Sequence, residues 1–131
     1  LINTGKAIEM KVPQESLLLR IFIGEQDRHG HQPLYEAIVL RARELHLAGA
    51  TVLRGSMGFG LSSRLHSAKI LRLSQDLPVI IEIVDSAEKI ESFLPVLETM
   101  MGGGLVTLER VRVIHYRPAQ GENRVDPPGG G

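Results

Sequence analysis

The stretch RGSMGFGLSSRLH, Arg54 to His66, gathers glycines, serines, two arginines and a histidine with no acidic residue among them. Glycines at 55, 58 and 60 let a backbone approach a ligand closely and turn its amide N–H groups toward an anion. Serines beside a histidine can supply a nucleophile and its base. A solvated surface connector would need neither. The acid-free region extends further: from Thr51 to Gln75 the fixed charges are Arg54, Arg64, Lys69 and Arg72, with no Asp or Glu. In a chain with formal net charge +0, this is the strongest local asymmetry.

Spacing excludes two glycine motifs. A P-loop requires Gly-Lys-Ser/Thr at the start of a helix, and the chain has no such tripeptide. A nucleophile elbow requires Gly-x-Ser-x-Gly, whereas Ser62 and Ser63 simply follow Gly60, with His66 nearby. Serine catalysis also demands an oriented base and an oxyanion hole, and capping a helical turn is the simpler role for either serine. An anion site and a surface connector both stay open.

A second cluster, EQDRHGHQP, holds Glu25, Asp27, His29 and His31. Carboxylate and imidazole this close can ligate zinc or copper, which makes Asp27, His29 and His31 candidate metal ligands. A polar strand-to-helix loop collects the same residue types for hydrogen bonding alone. The third candidate is Gly102, Gly103 and Gly104, which would expose consecutive amides to a phosphate or merely end a helix. Met100 and Met101 before them read as core filler or interface.

Hydrophobic period gives the elements that must position these groups. LLLRIFIG (17–24) alternates as a strand, with Leu17, Leu19, Ile21 and Ile23 on one face. PLYEAIVLRARELHLAG (33–49) has helical spacing, with Pro33 at the first position and Gly49 as terminator. ATVLRGS (50–56) and LPVIIEIVD (77–85) are strands. Asp85 and Glu88 have capping-box spacing for a second helix through Met101, with a kink expected at Pro95. LVTLERVRVIHY (105–116) is the last strand.

The order β-α-β-β-α-β predicts an α+β, ferredoxin-like domain: a four-stranded antiparallel sheet with both helices on one face. The other face would carry Leu18, Phe22, Ile80 and Val84, too much apolar surface to leave wet, so self-association is expected. Arg20 and Glu82 share that face and require partners if buried. The expected organisation is an N-terminal tail at 1–16, one domain at 17–116 and a disordered Pro/Gly-rich tail at 117–131.

Composition narrows the classes. The chain has 131 residues, suiting one domain. Neutral net charge and five aromatic residues, two Tyr and three Phe, argue against nucleic acid as partner. No run approaches the about 18 apolar residues of a membrane span, and no signal peptide is expected. The absence of cysteine removes disulfides and thiolates and fits a cytoplasmic setting.

The segments IGEQDRHGHQPLYEAIV, LAGATVLRGSMGFG, LSQDLPVIIEIVD and GLVTLERVRVI together resemble the uncharacterised family known as domain of unknown function one-ninety. That family lies in the PII-like superfamily with the nitrogen-regulatory PII and CutA proteins. The resemblance, over Leu17 to Tyr116, implies a homotrimer whose sheets face one another, and a regulatory protein rather than an enzyme. It places the stretch 55–75 at the PII T-loop, which meets partner proteins, and Gly102 to Gly104 at the phosphate-binding B-loop. No tyrosine falls in the T-loop region, since the two are Tyr35 and Tyr116, so control by tyrosine modification is not expected. The implied ligand is a small anionic effector, a nucleotide among the candidates, held by Arg54, Gly55, Gly58, Gly60, Arg64, His66 and Lys69 with the three later glycines. No cofactor is otherwise implied. The alternatives are a CutA-like metal-binding protein and a trimeric scaffold without ligand.

Overall fold

The computed structural model describes residues 12–60 and 76–118. Strand β1 (Glu15–Gly24) starts two residues before the expected Leu17 and occupies an inner position of the sheet. A two-residue hairpin, β2 (Arg28–His29) and β3 (Gln32–Pro33), follows and leads into α1 (Leu34–Glu44). Then come β4 (Thr51–Arg54), β5 (Pro78–Asp85), α2 (Ala87–Met100) and β6 (Leu105–Arg112). The main sheet runs β4-β5-β1-β6 and all its pairings are antiparallel. This is the ferredoxin-like architecture that the periodicity predicts.

Alternation in β1 and β5 decides which face is dry. Leu19, Ile21, Val79, Ile81 and Ile83 are fully buried against Ile38 of α1 and Ile90, Phe93 and Leu97 of α2. Phe93 is the bulkiest fully buried side chain, and its truncation to alanine would cost about 3–5 kcal/mol. The opposite face carries Leu18, Phe22, Ile80 and Val84, all half-buried, and the exposed Leu53 and Leu105. At its centre Arg20 Nε donates to Glu82 Oε2 at 2.8 Å, while Nη1 reaches Glu109 Oε1 at 3.4 Å. The charged residues expected to need partners thus satisfy one another across three strands. The hydrogen bond that Arg20 donates to Glu82, followed by the charges of Glu82 and Glu109, holds the Arg20 guanidinium above its ordinary range.

Element ends depart from expectation for local reasons. Helix α1 stops at Glu44, and its reversal falls on His46 (φ 60°), not Gly49. His46 N–H donates to Arg43 O and Leu47 N–H to Ala42 O, both at 3.0 Å, a Schellman arrangement that returns Leu47 to the core. Lys89 Nζ donates to His46 O at 2.6 Å. Pro33 is the extended residue before α1, not its first helical residue.

Helix α2 is capped by Ser86, whose Oγ accepts the Lys89 N–H at 3.1 Å. Asp85 does not form the expected box with Glu88. It is buried, its Oδ2 accepting Ala48 N–H at 2.9 Å and its Oδ1 accepting Ser86 N–H at 2.7 Å. The helix then runs without interruption through Pro95 to Met100. Strand β6 ends at Arg112, opposite Glu15, because β1 offers no further rung except Gln14 O, which accepts Val113 N–H at 2.7 Å. Beyond it Tyr116 Oη donates to Ala48 O at 2.9 Å. Residues 1–11 and 119–131, and with them most of both expected tails, lie outside the described residues.

Candidate functional site

Antiparallel order brings the C-terminal ends of β1 and β4 to the same edge of the sheet as the starts of β5 and β6. A cavity of about 390 Å3 lies there. Its walls include Phe22, Phe59, Pro78 and Leu105, with backbone from Gly24, Gly58, Gly60 and Gly104. Asp27 and Asp76 complete the described lining with Ile23.

Three glycines permit this approach of chain to chain. A Cβ at Gly104 would lie 2.8 Å from Phe22 O and 2.7 Å from Met101 Cε, at a φ of +121° that side chains rarely adopt. At Gly55 a Cβ would meet Pro78 Cγ at 2.8 Å, and Gly55 N–H donates to Pro78 O at 2.8 Å. A Cβ at Gly24 would sit 2.8 Å from Asp76 Oδ1, so glycine there lets Asp76 fold over the strand end. That carboxylate accepts Gln26 N–H at 2.9 Å, and Asp27 Oδ2 accepts Gly24 N–H at 3.0 Å.

The residues singled out from the sequence fall in several places. Gly58, Gly60 and Gly104 share the cavity, while Gly55 braces it from behind. Gly102 and Gly103 line a separate open groove of about 410 Å3 with Glu98, Leu94 and Leu97 of α2, and Gly104 borders both. A Cβ at Gly102 would meet nothing within 4 Å, so among these glycines close packing requires Gly104 and leaves Gly102 unconstrained.

Arg54 already has partners. Its Nε donates to Glu25 Oε2 at 3.0 Å, its Nη2 donates to Tyr35 Oη at 3.1 Å, and Cζ lies 5.4 Å from the Tyr35 ring centroid. The Glu25 hydrogen bond and charge hold this guanidinium above its ordinary range, with a smaller contribution from Tyr35. Arg54 therefore fastens the end of β4 to α1 and to the turn after β1. Arg64, His66 and Lys69 lie outside the described residues.

The candidate metal ligands are not assembled. Asp27 lines the cavity, whereas His29 and His31 are exposed on the small hairpin, His29 facing Arg41 and Thr99 across a shallow groove. Among the described residues no three His, Asp or Glu side chains are grouped to hold a metal ion. The segment serves a backbone hairpin instead: Arg28–His29 pairs with Gln32–Pro33, and Arg28 Nη2 donates to His31 O at 2.7 Å across its turn. Asp76 escaped notice in the sequence. Its signal was position: it is the first acid after the long acid-free stretch, two residues before β5.

The model of the DUF190 family, described as "Uncharacterized ACR", matches residues 16–113. The chain belongs to this family. The match spans every strand and helix of the main sheet except the first residue of β1. A UPF0166 protein of Aquifex aeolicus (strain VF5) is 42% identical over 100 residues, covering 75% of this chain and 92% of that one. A UPF0166 protein of Methanocaldococcus jannaschii is 36% identical over 92 residues, covering 70% and 84%. The DUF190 fold is also that of a Thermus thermophilus protein provisionally named a PII-like signalling protein. That structure matches with a TM-score of 0.54 and 18% identity over 85% of this chain and 96% of the other. At that identity the likeness concerns the fold. Among the described residues no helix is long and apolar enough to cross a membrane.

Proposed function

We propose that this DUF190 protein is a PII-type regulator rather than an enzyme. Three copies shelter the apolar sheet faces from water, and a small anionic effector, a nucleotide among the candidates, binds in the clefts between subunits. The effector's negative groups meet Arg64, His66 and Lys69 and the backbone amides of Gly102 to Gly104. Binding changes the fit of the stretch 55–75 to a partner protein in the cytoplasm. The observation that carries this reading is the cavity at the strand ends, where Gly104 and the segment Gly58–Gly60 of the acid-free stretch line one space. Arg54 enters as a brace, because its Nε and Nη2 donate to Glu25 and Tyr35.

A thermal-shift panel of nucleotides, other phosphates and divalent metals tests the proposal. A true effector at about 100 times its dissociation constant stabilises the fold by about 2.7 kcal/mol. Unchanged melting across all phosphate-bearing compounds would remove the anionic effector.

A further inference from the structure

The cavity at the strand ends has a chemistry of its own. Among its described lining residues the charged groups are Asp27 and Asp76, and the remaining side chains are apolar, including the rings of Phe22 and Phe59. Each carboxylate commits one oxygen to the backbone, Asp27 Oδ2 to Gly24 N–H and Asp76 Oδ1 to Gln26 N–H. Both side chains are half-buried, and the second oxygen of each accepts no hydrogen bond among the described residues. An ionised carboxylate is acceptor-only, so what satisfies it is a donor. Aromatic faces beside it attract cations as well. An anion in the same space would meet two like charges in poorly hydrated surroundings.

We infer that this cavity receives the ammonium-bearing end of a small apolar organic molecule. Asp27 and Asp76 accept its N–H donors, while Phe22, Phe59 and Leu105 flank its carbon skeleton. The size fits, since about 390 Å3 lies within the range of roughly 300–1,000 Å3 usual for small-molecule sites. Glycine at position 24 suits the carboxylate's place at the strand end, because a Cβ there would lie 2.8 Å from Asp76 Oδ1 and push that side chain aside. This inference rests on the reading that the effector enters at this edge, and it specifies the other end of that molecule. The effector carries charges of both signs, the positive one inside the cavity and the negative one outside it.

Tryptamine and indole-3-propionate, which share a ring and a two-carbon spacer but differ in charge, are the probes, titrated calorimetrically into the full chain. Tryptamine is expected to bind at least about tenfold more tightly than the acid, as loss of a charged hydrogen bond implies. The double variant Asp27→Asn, Asp76→Asn keeps an oxygen acceptor for each backbone N–H and is expected to lose that preference. Thermal unfolding checks that the variant is folded. If it is not, Phe59→Ala, an exposed position, serves instead and is expected to weaken tryptamine while the charge preference persists. Equal affinity for the two probes, tighter binding of the acid, no binding of either, or a preference that survives in the folded double variant overturns the inference. A chain stabilised by phosphates but indifferent to tryptamine keeps the proposed function and loses this inference. The converse result removes the anionic effector instead.

Discussion

Replacing Gly104 by alanine tests whether the strand-end cavity is built by close backbone contact. The new methyl would lie 2.8 Å from Phe22 O, a carbonyl fixed in the β1–β6 ladder, and 3.1 Å from Ile23 Cγ2. Met101 Cε, at 2.7 Å, is the flexible end of a side chain and can move aside, but the carbonyl cannot without disturbing the opening rung of β6. Forcing a side chain into positive φ costs about 1–2 kcal/mol. Overpacking adds about 1–3 kcal/mol. The expected loss is therefore about 2–5 kcal/mol, or a melting temperature lower by roughly 10–25 °C for a domain of this size. Gly102→Ala is the control, because nothing lies within 4 Å of its Cβ, and its effect should stay within about 0.5 kcal/mol. Urea unfolding followed by circular dichroism measures both. A Gly104→Ala protein as stable as its parent, or a Gly102→Ala protein equally damaged, would refute the reasoning.

Three further outcomes are expected. Asp85→Ala leaves Ala48 N–H and Ser86 N–H without their acceptor and should cost about 1–3 kcal/mol in the same urea assay. His46→Gly relieves the left-handed residue that ends α1 and should stabilise by about 0.5–1 kcal/mol, the strain relieved less the glycine entropy. The double variant Arg64→Ala, Lys69→Ala should weaken any phosphate-bearing effector found in the thermal-shift panel by tenfold or more, while light scattering shows assembly unchanged.

Wherever burial is one-sided, the fold was readable. Leu17, Leu19, Ile21 and Ile23 alternate because one face of β1 is dry, and the strand pairs that follow from this are the ones present. Element ends were harder, because several caps compete locally and packing chooses among them. Gly49 suited a helix end better than His46 by propensity, but the return of Leu47 to the core moved the reversal to His46. Asp85 suited a capping box, but a second donor, Ala48 N–H, drew its carboxylate away and left the cap to Ser86. The hairpin at Arg28–Pro33 has strands too short to show any period.

Part of the cavity's lining was legible in the sequence. Gly58, Gly60 and Gly104, whose lack of a side chain exposes their backbone, share a cavity. Sequence distance hid what else meets there. Asp76 is separated from Gly24 by more than half the domain, and only the antiparallel pairing of β1 with β5 places them together. Arg54 looked available because its charge is local in sequence, whereas its partners Glu25 and Tyr35 come from the preceding strand-to-helix unit.

The proposed regulator depends on its assembly, which would cover the face formed by half-buried Leu18, Phe22 and Ile80 with exposed Leu105 and set the proposed clefts between copies. Sedimentation velocity at micromolar concentration measures this most directly. The account predicts a particle of three times the 14.4 kDa of one chain, persisting on dilution. A stable particle of 14.4 kDa would contradict it.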